Sequence, residues 1–88
     1  MKTLHLSTAT NITLAVRIWG DDNILAPTLV MVHGFPDNSL VWQTIAEQLS
    51  TIFRVVAYDV RGAGDSTIPK ATSAYKIRYL VEDLAAVI

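Results

Sequence analysis

The hydrophobic residues near the start of the chain follow the two-residue period of β-strands. Residues 12–19 place Ile, Leu, Val and Ile at every second position, which predicts a strand with one better-buried face. A shorter run at Thr3–Leu6 predicts a first strand, and Gly20–Asn23 has the composition of a turn. We therefore expect the chain to begin with two antiparallel strands.

Two later runs of hydrophobic residues, Thr28–His33 and Arg54–Asp59, show no polar alternation. Uninterrupted runs of this kind are typical of strands that are covered on both faces, as in parallel sheets. The residues between them, from about Leu40 to Ser50, have helical spacing. Strand, helix and strand together predict a right-handed βαβ unit, so the predicted fold class is α/β.

The helix of this unit is predicted from the four-residue spacing of Val41, Ile45 and Leu49, which would form its buried face. Short polar side chains precede it and can accept hydrogen bonds from the N–H groups of its first turn. The candidates for this cap are Asp37, Asn38 and Ser39.

A long loop, Val60–Ala74, is followed by a second predicted helix from about Ala74 to Ile88. Its hydrophobic residues recur at helical spacing, and Arg78 and Glu82 form an i, i+4 pair on the opposite face. The printed sequence stops inside this apolar helix without a capping residue. We interpret this as the end of a truncated chain or of an incomplete gene prediction.

Composition indicates that the chain is part of something larger. Hydrophobic residues make up 51% of the 88-residue chain and charged residues 17%, against about 25% charged residues in typical soluble domains. A small domain has a large surface relative to its volume and ordinarily needs more charge than this. We therefore expect residues 1–88 to be one partial domain with an incomplete sheet.

Charge and residue usage argue against several kinds of function. The formal net charge is −1, with no basic patch, which argues against binding to nucleic acid. The chain has no Cys and two distant His residues, His5 and His33, so we expect no disulfide, no metal site and no cofactor. No apolar run has the length of a signal peptide or a membrane span, and we expect a cytoplasmic protein.

Two loops are the candidates for chemistry, because ligands of open α/β sheets gather at the carboxyl ends of the parallel strands. These loops are His33–Asn38 and Asp59–Ser66. In the first, Gly34 would allow a tight turn that aims a backbone N–H into the site, where it could hold a developing oxyanion. In the second, Gly62 and Gly64 lack the third glycine and the directly following helix of a dinucleotide-binding motif.

The two loops together resemble motifs of the α/β-hydrolase family. His33–Pro36 (His-Gly-Phe-Pro) is similar to the oxyanion-hole loop of that family, and Tyr58–Ser66 is similar to its Asp-x-Arg-Gly-x-Gly-x-Ser loop. The separation of the loops and the Asp-Leu pair at residues 83–84 also agree. The first motif looks most like epoxide hydrolases and haloalkane dehalogenases. The second also resembles a subgroup in which the hydrolase domain is fused to a short-chain dehydrogenase.

The resemblance implies a role for each loop residue. The backbone N–H of Phe35 would be an oxyanion-hole donor, and the Phe35–Pro36 peptide bond would be cis. The remaining motif residues would support the loops, namely His33, Gly34, Pro36, Asp59, Arg61, Gly62, Gly64 and Ser66. The family's nucleophile (Asp or Ser), its acid partner and its general-base His have no counterpart in this chain. The resemblance thus implies an N-terminal piece of a hydrolase, inactive by itself, with small-molecule substrates for the full-length protein.

Three hypotheses remain open. The chain is the N-terminal part of an epoxide-hydrolase-like enzyme, the same part of a fused hydrolase–dehydrogenase, or a non-catalytic binding module of α/β-hydrolase fold. A nucleophile-bearing turn in a longer reading frame, followed or not by a dehydrogenase motif, would distinguish them. Thr28–His33 would form an apolar sheet edge, which is a template for pairing with another chain. We therefore expect the isolated chain to self-associate.

Overall fold

The computed structural model describes residues 1–88 as a four-stranded sheet with one helix packed on each face. The strands are β1 (Lys2–Ser7), β2 (Thr13–Trp19), β3 (Thr28–Val32) and β4 (Arg54–Tyr58), and the helices are α1 (Gln43–Leu49) and α2 (Ile77–Val87). Short 3-10 turns at Ser39–Trp42 and Thr72–Tyr75 precede the two helices. The sequence predicts helix starts near Leu40 and Ala74, but the α-helices begin later, at Gln43 and Ile77.

The strand order is β1-β2-β4-β3, which leaves β1 and β3 at the two edges of the sheet. β1 pairs antiparallel with β2, β2 pairs antiparallel with β4, and β3 pairs parallel with β4. The parallel register aligns Thr28 with Arg54 and Val32 with Tyr58. The predicted antiparallel opening strands and the βαβ unit formed by β3, α1 and β4 are confirmed, and the fold is an α/β fold with an incomplete sheet.

The inner strand β2 is buried on both of its faces. Every second residue from Ile12 to Ile18 lies in a hydrophobic cluster between the sheet and α2, against which Leu84 packs. On the other face, Arg17 and Trp19 are also buried. The prediction of one better-buried face is therefore wrong, because β2 is an inner strand whose second face lies on the side of α1.

Helix α1 and the turn before it pack on the sheet through a face that shares only Leu49 with the predicted one. The residues that contact the sheet are Trp42, Ala46 and Leu49. Val41 and Ile45, predicted to be buried, are about half exposed. The contacting residues recur at i, i+4 and i+7, which is ordinary helical spacing, so the buried face is rotated by about one residue from the predicted one. The small Ala46 side chain, fully buried, then lets the helix approach the sheet closely.

The turn before α1 is capped by one of the three candidate residues. The side-chain oxygen of Asn38 accepts a hydrogen bond from the backbone N–H of Leu40 at 2.9 Å. Ser39 has a different role, since its hydroxyl accepts a hydrogen bond from Arg17 Nε at 3.0 Å in the buried interior. The cap therefore leaves Ser39 free to join the first turn to β2.

Strand β3 is less covered than its apolar sequence suggests. Thr28 and Val32 are exposed, and the three residues between them are only half-buried. The prediction of a strand covered on both faces is therefore wrong for β3, which lies at the sheet edge. It holds for β4, whose residues Val55–Tyr58 are all buried.

Helix α2 is covered on one side only. Its residues Ile77 and Val81 are more than half exposed. Arg78 does not pair with Glu82 as predicted; its guanidinium lies 4.9 Å from the centre of the Tyr79 ring and donates to the Tyr79 hydroxyl at 3.0 Å. Neither helix of the chain combines the length and the apolar character that a membrane crossing requires.

Candidate active-site loops

The loops that follow β3 and β4 meet at the carboxyl ends of these parallel strands. A cleft of about 450 Å³ lies between them. One wall runs from His33 to Asp37, and the other is formed by Val60–Gly64 and Tyr75. The two segments singled out in the sequence are therefore neighbours, at the position where open α/β sheets bind ligands.

The imidazole of His33 joins the two loops. It is buried, and its Nε2 accepts a hydrogen bond from the backbone N–H of Val60 at 3.0 Å. Because Nε2 accepts, the ring proton lies on Nδ1, which donates to the carbonyl oxygen of Gly34 at 3.0 Å. Both ring nitrogens are therefore engaged by backbone groups, and neither is available to take a proton from a nucleophile.

Phe35 stands at the tip of the first loop. Its side chain is fully exposed, and its backbone N–H makes no hydrogen bond within the chain. The Phe35–Pro36 peptide bond is cis, as predicted. The N–H of Asp37 closes the turn by donating to the carbonyl oxygen of Gly34 at 2.9 Å. The loop thus presents a free backbone donor beside the cleft.

Gly34 is not required by the turn in which it lies. Its φ is outside the left-handed region, and a Cβ at this position would meet no heavy atom within 4 Å. The expected tight turn is present, but its geometry within these 88 residues does not need glycine. The absent side chain leaves open space next to Phe35.

The two glycines of the second loop are required by its geometry. Gly62 and Gly64 have φ values of +87° and +51°, in the region that favours glycine. A Cβ on Gly62 would lie 2.6 Å from the ring of Tyr75, and a Cβ on Gly64 would overlap the Asp59 carboxylate. Gly62 thus lets the second loop pass close to Tyr75, and Gly64 lets it pass close to Asp59.

Asp59, directly after β4, is a buried carboxylate that joins the second loop to the turn before α1. Its Oδ1 accepts from the backbone N–H of Ser39 at 2.7 Å, and its Oδ2 accepts from the N–H of Asp65 at 2.9 Å. Burial by itself would raise the pKa of Asp59. Hydrogen bonds from Ser39 and Asp65 and the positive charge of Arg17 outweigh burial and hold the pKa below its usual 3.8. Asp59 is therefore ionised at neutral pH, with both oxygens occupied.

Arg17 of β2 reaches the same carboxylate from the sheet. Its Nη2 lies 3.3 Å from Asp59 Oδ2 and 2.9 Å from Asp65 Oδ2. Nothing in the alternating pattern of β2 predicts a function for Arg17. A single arginine within a run that also carries buried apolar residues is nevertheless a usable signal, because a buried guanidinium needs a carboxylate partner.

The hydroxyl of Ser66 is committed to backbone groups. Its Oγ accepts from the N–H of Ala15 at 2.9 Å and donates to the carbonyl oxygen of Asp59. Ser66 is buried and joins the second loop to β2. Both hydrogen bonds of its hydroxyl are to backbone groups, which is the role of a loop-fixing residue.

Arg61 and Asp83 form a buried ion pair between the second loop and α2. The Nε and Nη2 atoms of Arg61 lie 2.7 Å and 2.8 Å from the two carboxylate oxygens, and both side chains are 2% exposed. Arg61 also donates to the carbonyl oxygen of Ala74 and to the hydroxyl of Thr10. The hydrogen bonds to Asp83 raise the pKa of Arg61. A carboxylate on the apolar face of α2 is the signal in the sequence that could have found this pair.

Of two further cavities, one adjoins the first loop and the other lies at the opposite end of the parallel strands. An apolar cavity of about 310 Å³ adjoins the first loop and is lined by Val32, Phe35 and Leu80 among others. The largest cavity, about 580 Å³, lies at the opposite ends of the parallel strands, where Thr28 and Arg54 contribute to its wall. No three His, Cys, Asp or Glu side chains come together as metal ligands would.

The region of the chain that contains both loops is similar to known proteins. A family model described as alpha/beta hydrolase fold matches residues 27–88. A Mycobacterium tuberculosis protein named "Probable oxidoreductase EphD" is 41% identical over 73 residues, which are 83% of this chain and 12% of that protein. Epoxide hydrolase 3 of Xenopus tropicalis is 38% identical over 58 residues, which are 66% of this chain and 16% of that protein.

Solved structures show the same similarity over nearly the whole chain. The crystal structure of epoxide hydrolase VrEH1 from Vigna radiata matches 97% of this chain with a TM-score of 0.86 and 31% sequence identity. The match covers 26% of the Vigna radiata chain. The 88 residues therefore span a minor part of the length of the relatives that they match.

Proposed function

This chain belongs to the alpha/beta hydrolase fold family, and we propose that it forms one wall of a hydrolase active site in which the backbone N–H of Phe35 binds a developing oxyanion. The observation that carries the proposal is the unpaired N–H at the tip of the first loop, beside the cleft. A donor that is held in place before the reaction stabilises negative charge without reorganising during it.

The substrate class that we propose is a small molecule, with epoxides first and esters or haloalkanes as related candidates. The epoxide hydrolases among the relatives and the solved structures support this order. In this proposal the nucleophile, its acid partner and the general base come from residues outside these 88. The chain contributes a donor and the surface around it.

The remaining loop residues act as positioning residues in this proposal. His33 holds the first loop against Val60, so the N–H of Phe35 has a defined position relative to the second loop. Asp59 and Arg61 hold the second loop against the sheet and α2. A displacement of either loop would move the donor away from the reacting oxygen and weaken the stabilisation.

A chimera tests the role of Phe35. The segment of the Vigna radiata epoxide hydrolase that matches this chain is replaced by residues 1–88, and epoxide hydrolysis is measured. We expect an active chimera, and we expect Phe35→Pro, which removes the N–H, to lower kcat by about 10²–10³-fold.

Phe35→Leu is the matched control, because it changes the same exposed side chain and keeps the N–H. We expect this variant to retain most of the activity. Equal losses in the two variants, or an unchanged kcat in Phe35→Pro, would contradict the proposed donor. The 88-residue chain assayed alone is expected to show no turnover.

A second candidate function is favoured by the mycobacterial relative. That protein is named an oxidoreductase, and this chain matches 12% of its length. The alternative proposal is that these residues are the N-terminal region of a fused hydrolase–short-chain dehydrogenase. Sequencing the gene beyond codon 88 and assaying the encoded protein for NAD(P)H-dependent reduction tests it. A hydrolase without reductase activity would leave the first proposal.

A further inference from the structure

The first loop is tied, at both of its ends, to the residues that directly follow β4. At its start, the imidazole of His33 accepts a hydrogen bond from the backbone N–H of Val60 at 3.0 Å. At its far end, the backbone N–H of Ser39 donates to Asp59 Oδ1 at 2.7 Å. Phe35 lies between these two hydrogen bonds, and its N–H is placed by the loop that they hold.

Arg17 of β2 contacts both partners of the hydrogen bond at the far end. Its Nε donates to the hydroxyl of Ser39 at 3.0 Å, and its Nη2 lies 3.3 Å from Asp59 Oδ2. The same Nη2 donates to Asp65 in the second loop at 2.9 Å, and Nη1 donates to the hydroxyl of Thr3 in β1 at 3.3 Å. One guanidinium therefore joins the sheet, the end of the first loop and the second loop.

Burial and geometry make this contact specific for arginine. Arg17 is 7% exposed, and Ser39 and Asp59 are fully buried by the residues of this chain. The guanidinium is a rigid planar fork whose N–H groups reach all of these acceptors at once. The ammonium of a lysine is a compact charge on a flexible side chain and cannot reproduce that pattern.

We propose that Arg17 is a positioning residue for the Phe35 donor, and that it acts by fixing the far end of the first loop. This inference rests on the proposed function, in which the N–H of Phe35 binds a developing oxyanion. A donor that is held in place stabilises this charge without reorganising during the reaction. The charge develops only in the transition state, so a loosened loop should lower kcat and leave KM almost unchanged.

Arg17→Lys and Arg54→Lys are a matched pair for testing this role in the chimera with the Vigna radiata hydrolase. Both variants keep the charge of an arginine that pairs with an aspartate. Arg54 begins β4 and pairs with Asp21, away from the loops at the other end of the strand. We expect Arg17→Lys to lower kcat by about 10-fold to 10²-fold with little change in KM, and Arg54→Lys to retain both.

Ser39→Ala tests the same contact with a smaller change. It removes the hydroxyl that accepts from Arg17 Nε and keeps the backbone N–H that donates to Asp59. We again expect a lower kcat at nearly unchanged KM, and this variant decides the question if Arg17→Lys does not fold.

A combined variant tests whether Arg17 acts through the donor. Phe35→Pro removes the N–H, so a misplaced loop has no donor left to displace. The chimera with both Arg17→Lys and Phe35→Pro should therefore have the kcat of Phe35→Pro alone. Losses that multiply would mean that Arg17 affects the reaction by another route.

Amide hydrogen exchange measures the hold on the loop without reference to catalysis. The N–H of Ser39 should exchange about tenfold faster in Arg17→Lys than in the unsubstituted chimera, and at an unchanged rate in Arg54→Lys. An unchanged kcat in Phe35→Pro would overturn the proposed donor, whereas faster exchange of Ser39 would still show that Arg17 fixes the loop. The two proposals can therefore fail separately.

Three results would overturn the role of Arg17. The first is an unchanged kcat, or an unchanged exchange rate of Ser39, in Arg17→Lys. The second is multiplied losses in the combined variant. The third is an equal loss of kcat in Arg54→Lys, which would indicate a general effect on stability.

Discussion

The tightest constraint on a single residue lies where the second loop passes over Asp59. Gly64 has a positive φ, and its Cα hydrogen faces the carboxylate so closely that a Cβ would overlap it. The carboxylate itself has no freedom to move away, because Ser39 and Asp65 donate to its two oxygens. Relief of such an overlap would therefore have to break hydrogen bonds in the buried network.

Gly64→Ala and Gly34→Ala are predicted to have opposite consequences. Gly64→Ala should lower the free energy of unfolding by about 2 kcal/mol or more, because alanine at positive φ is strained by about 1–2 kcal/mol and the Cβ also overlaps Asp59. Gly34→Ala should leave it unchanged or raise it by about 0.4–1 kcal/mol, through the lower entropy of the unfolded chain.

Urea denaturation followed by circular dichroism measures both glycine variants under the same conditions. Because the two substitutions are chemically identical, a similar effect at both positions would mean that the loop relaxes around Gly64. That outcome would contradict the close approach between Gly64 and Asp59.

At the residue scale, the sequence predicts what depends on neighbours in the chain and misses what depends on distant ones. Asn38 is one of the predicted caps, and capping needs only the next few residues. The partners of Arg17 and Asp83 lie 42 and 22 positions away. Nothing local marks such pairs except a charged side chain in an apolar pattern.

At the scale of elements, α2 is held to the sheet by a thin apolar contact and by one ion pair. Leu84 and Val87 pack against the core, while Ile77 and Val81 remain exposed. The Arg61–Asp83 pair ties this helix to the second loop in addition to the apolar packing of Leu84 and Val87. Removing one partner would leave the other charge buried without compensation.

Asp83→Ala is expected to destabilise the chain by about 3–5 kcal/mol, the usual cost of breaking a buried pair from one side. Glu82→Ala, on the exposed side of the same helix, should change stability by less than about 0.5 kcal/mol. Urea denaturation midpoints and the helical circular dichroism signal compare the two variants. Equal effects would show that the ion pair does not dock α2.

The sequence predicts the existence and order of the elements better than their faces. β2 and β4 follow from periodicity and from an uninterrupted apolar run, and both lie where expected. The buried face of α1 is predicted correctly at Leu49 and wrongly at Val41 and Ile45. Two overlapping sets of apolar residues have helical spacing here, and periodicity alone does not choose between them.

At the scale of the whole molecule, acid is expected to unfold the chain through Asp59. Its pKa is below 3.8 in the folded state, so the unfolded state takes up a proton more readily. The stability that Asp59 contributes is complete above the unfolded pKa and is lost as pH falls through the folded pKa. We expect the urea midpoint to fall as pH decreases below about 4.

Asp59→Asn should be less stable at neutral pH and should show a shallower decrease over the same acidic range. Asp22→Asn is the control, since Asp22 is an exposed carboxylate without a side-chain hydrogen bond. The urea midpoint of Asp59→Asn should still fall somewhat as pH decreases, because Arg54 and Lys2 also lower the pKa of Asp21. A pH dependence of the midpoint identical to that of wild type would show that protonation of Asp59 is not coupled to unfolding.

The overall fold could be predicted because two linked motifs fix where the loops belong. The parallel pairing of β3 with β4 brings both loops to one end of the sheet, as the predicted βαβ unit implies. The expected place of β3 at an apolar sheet edge is confirmed, but its half-buried faces could not be predicted from a sequence that has the pattern of a strand covered on both faces.

The Arg61–Asp83 pair also limits the order in which this sequence can change over generations. A lineage that loses either residue first passes through a chain with an unpaired buried charge, at a cost comparable to the whole stability of a small domain. Replacement of both residues by apolar side chains is physically acceptable, but each single step toward it is not. The two residues are therefore expected to be kept together or replaced together, while nearby positions can change independently.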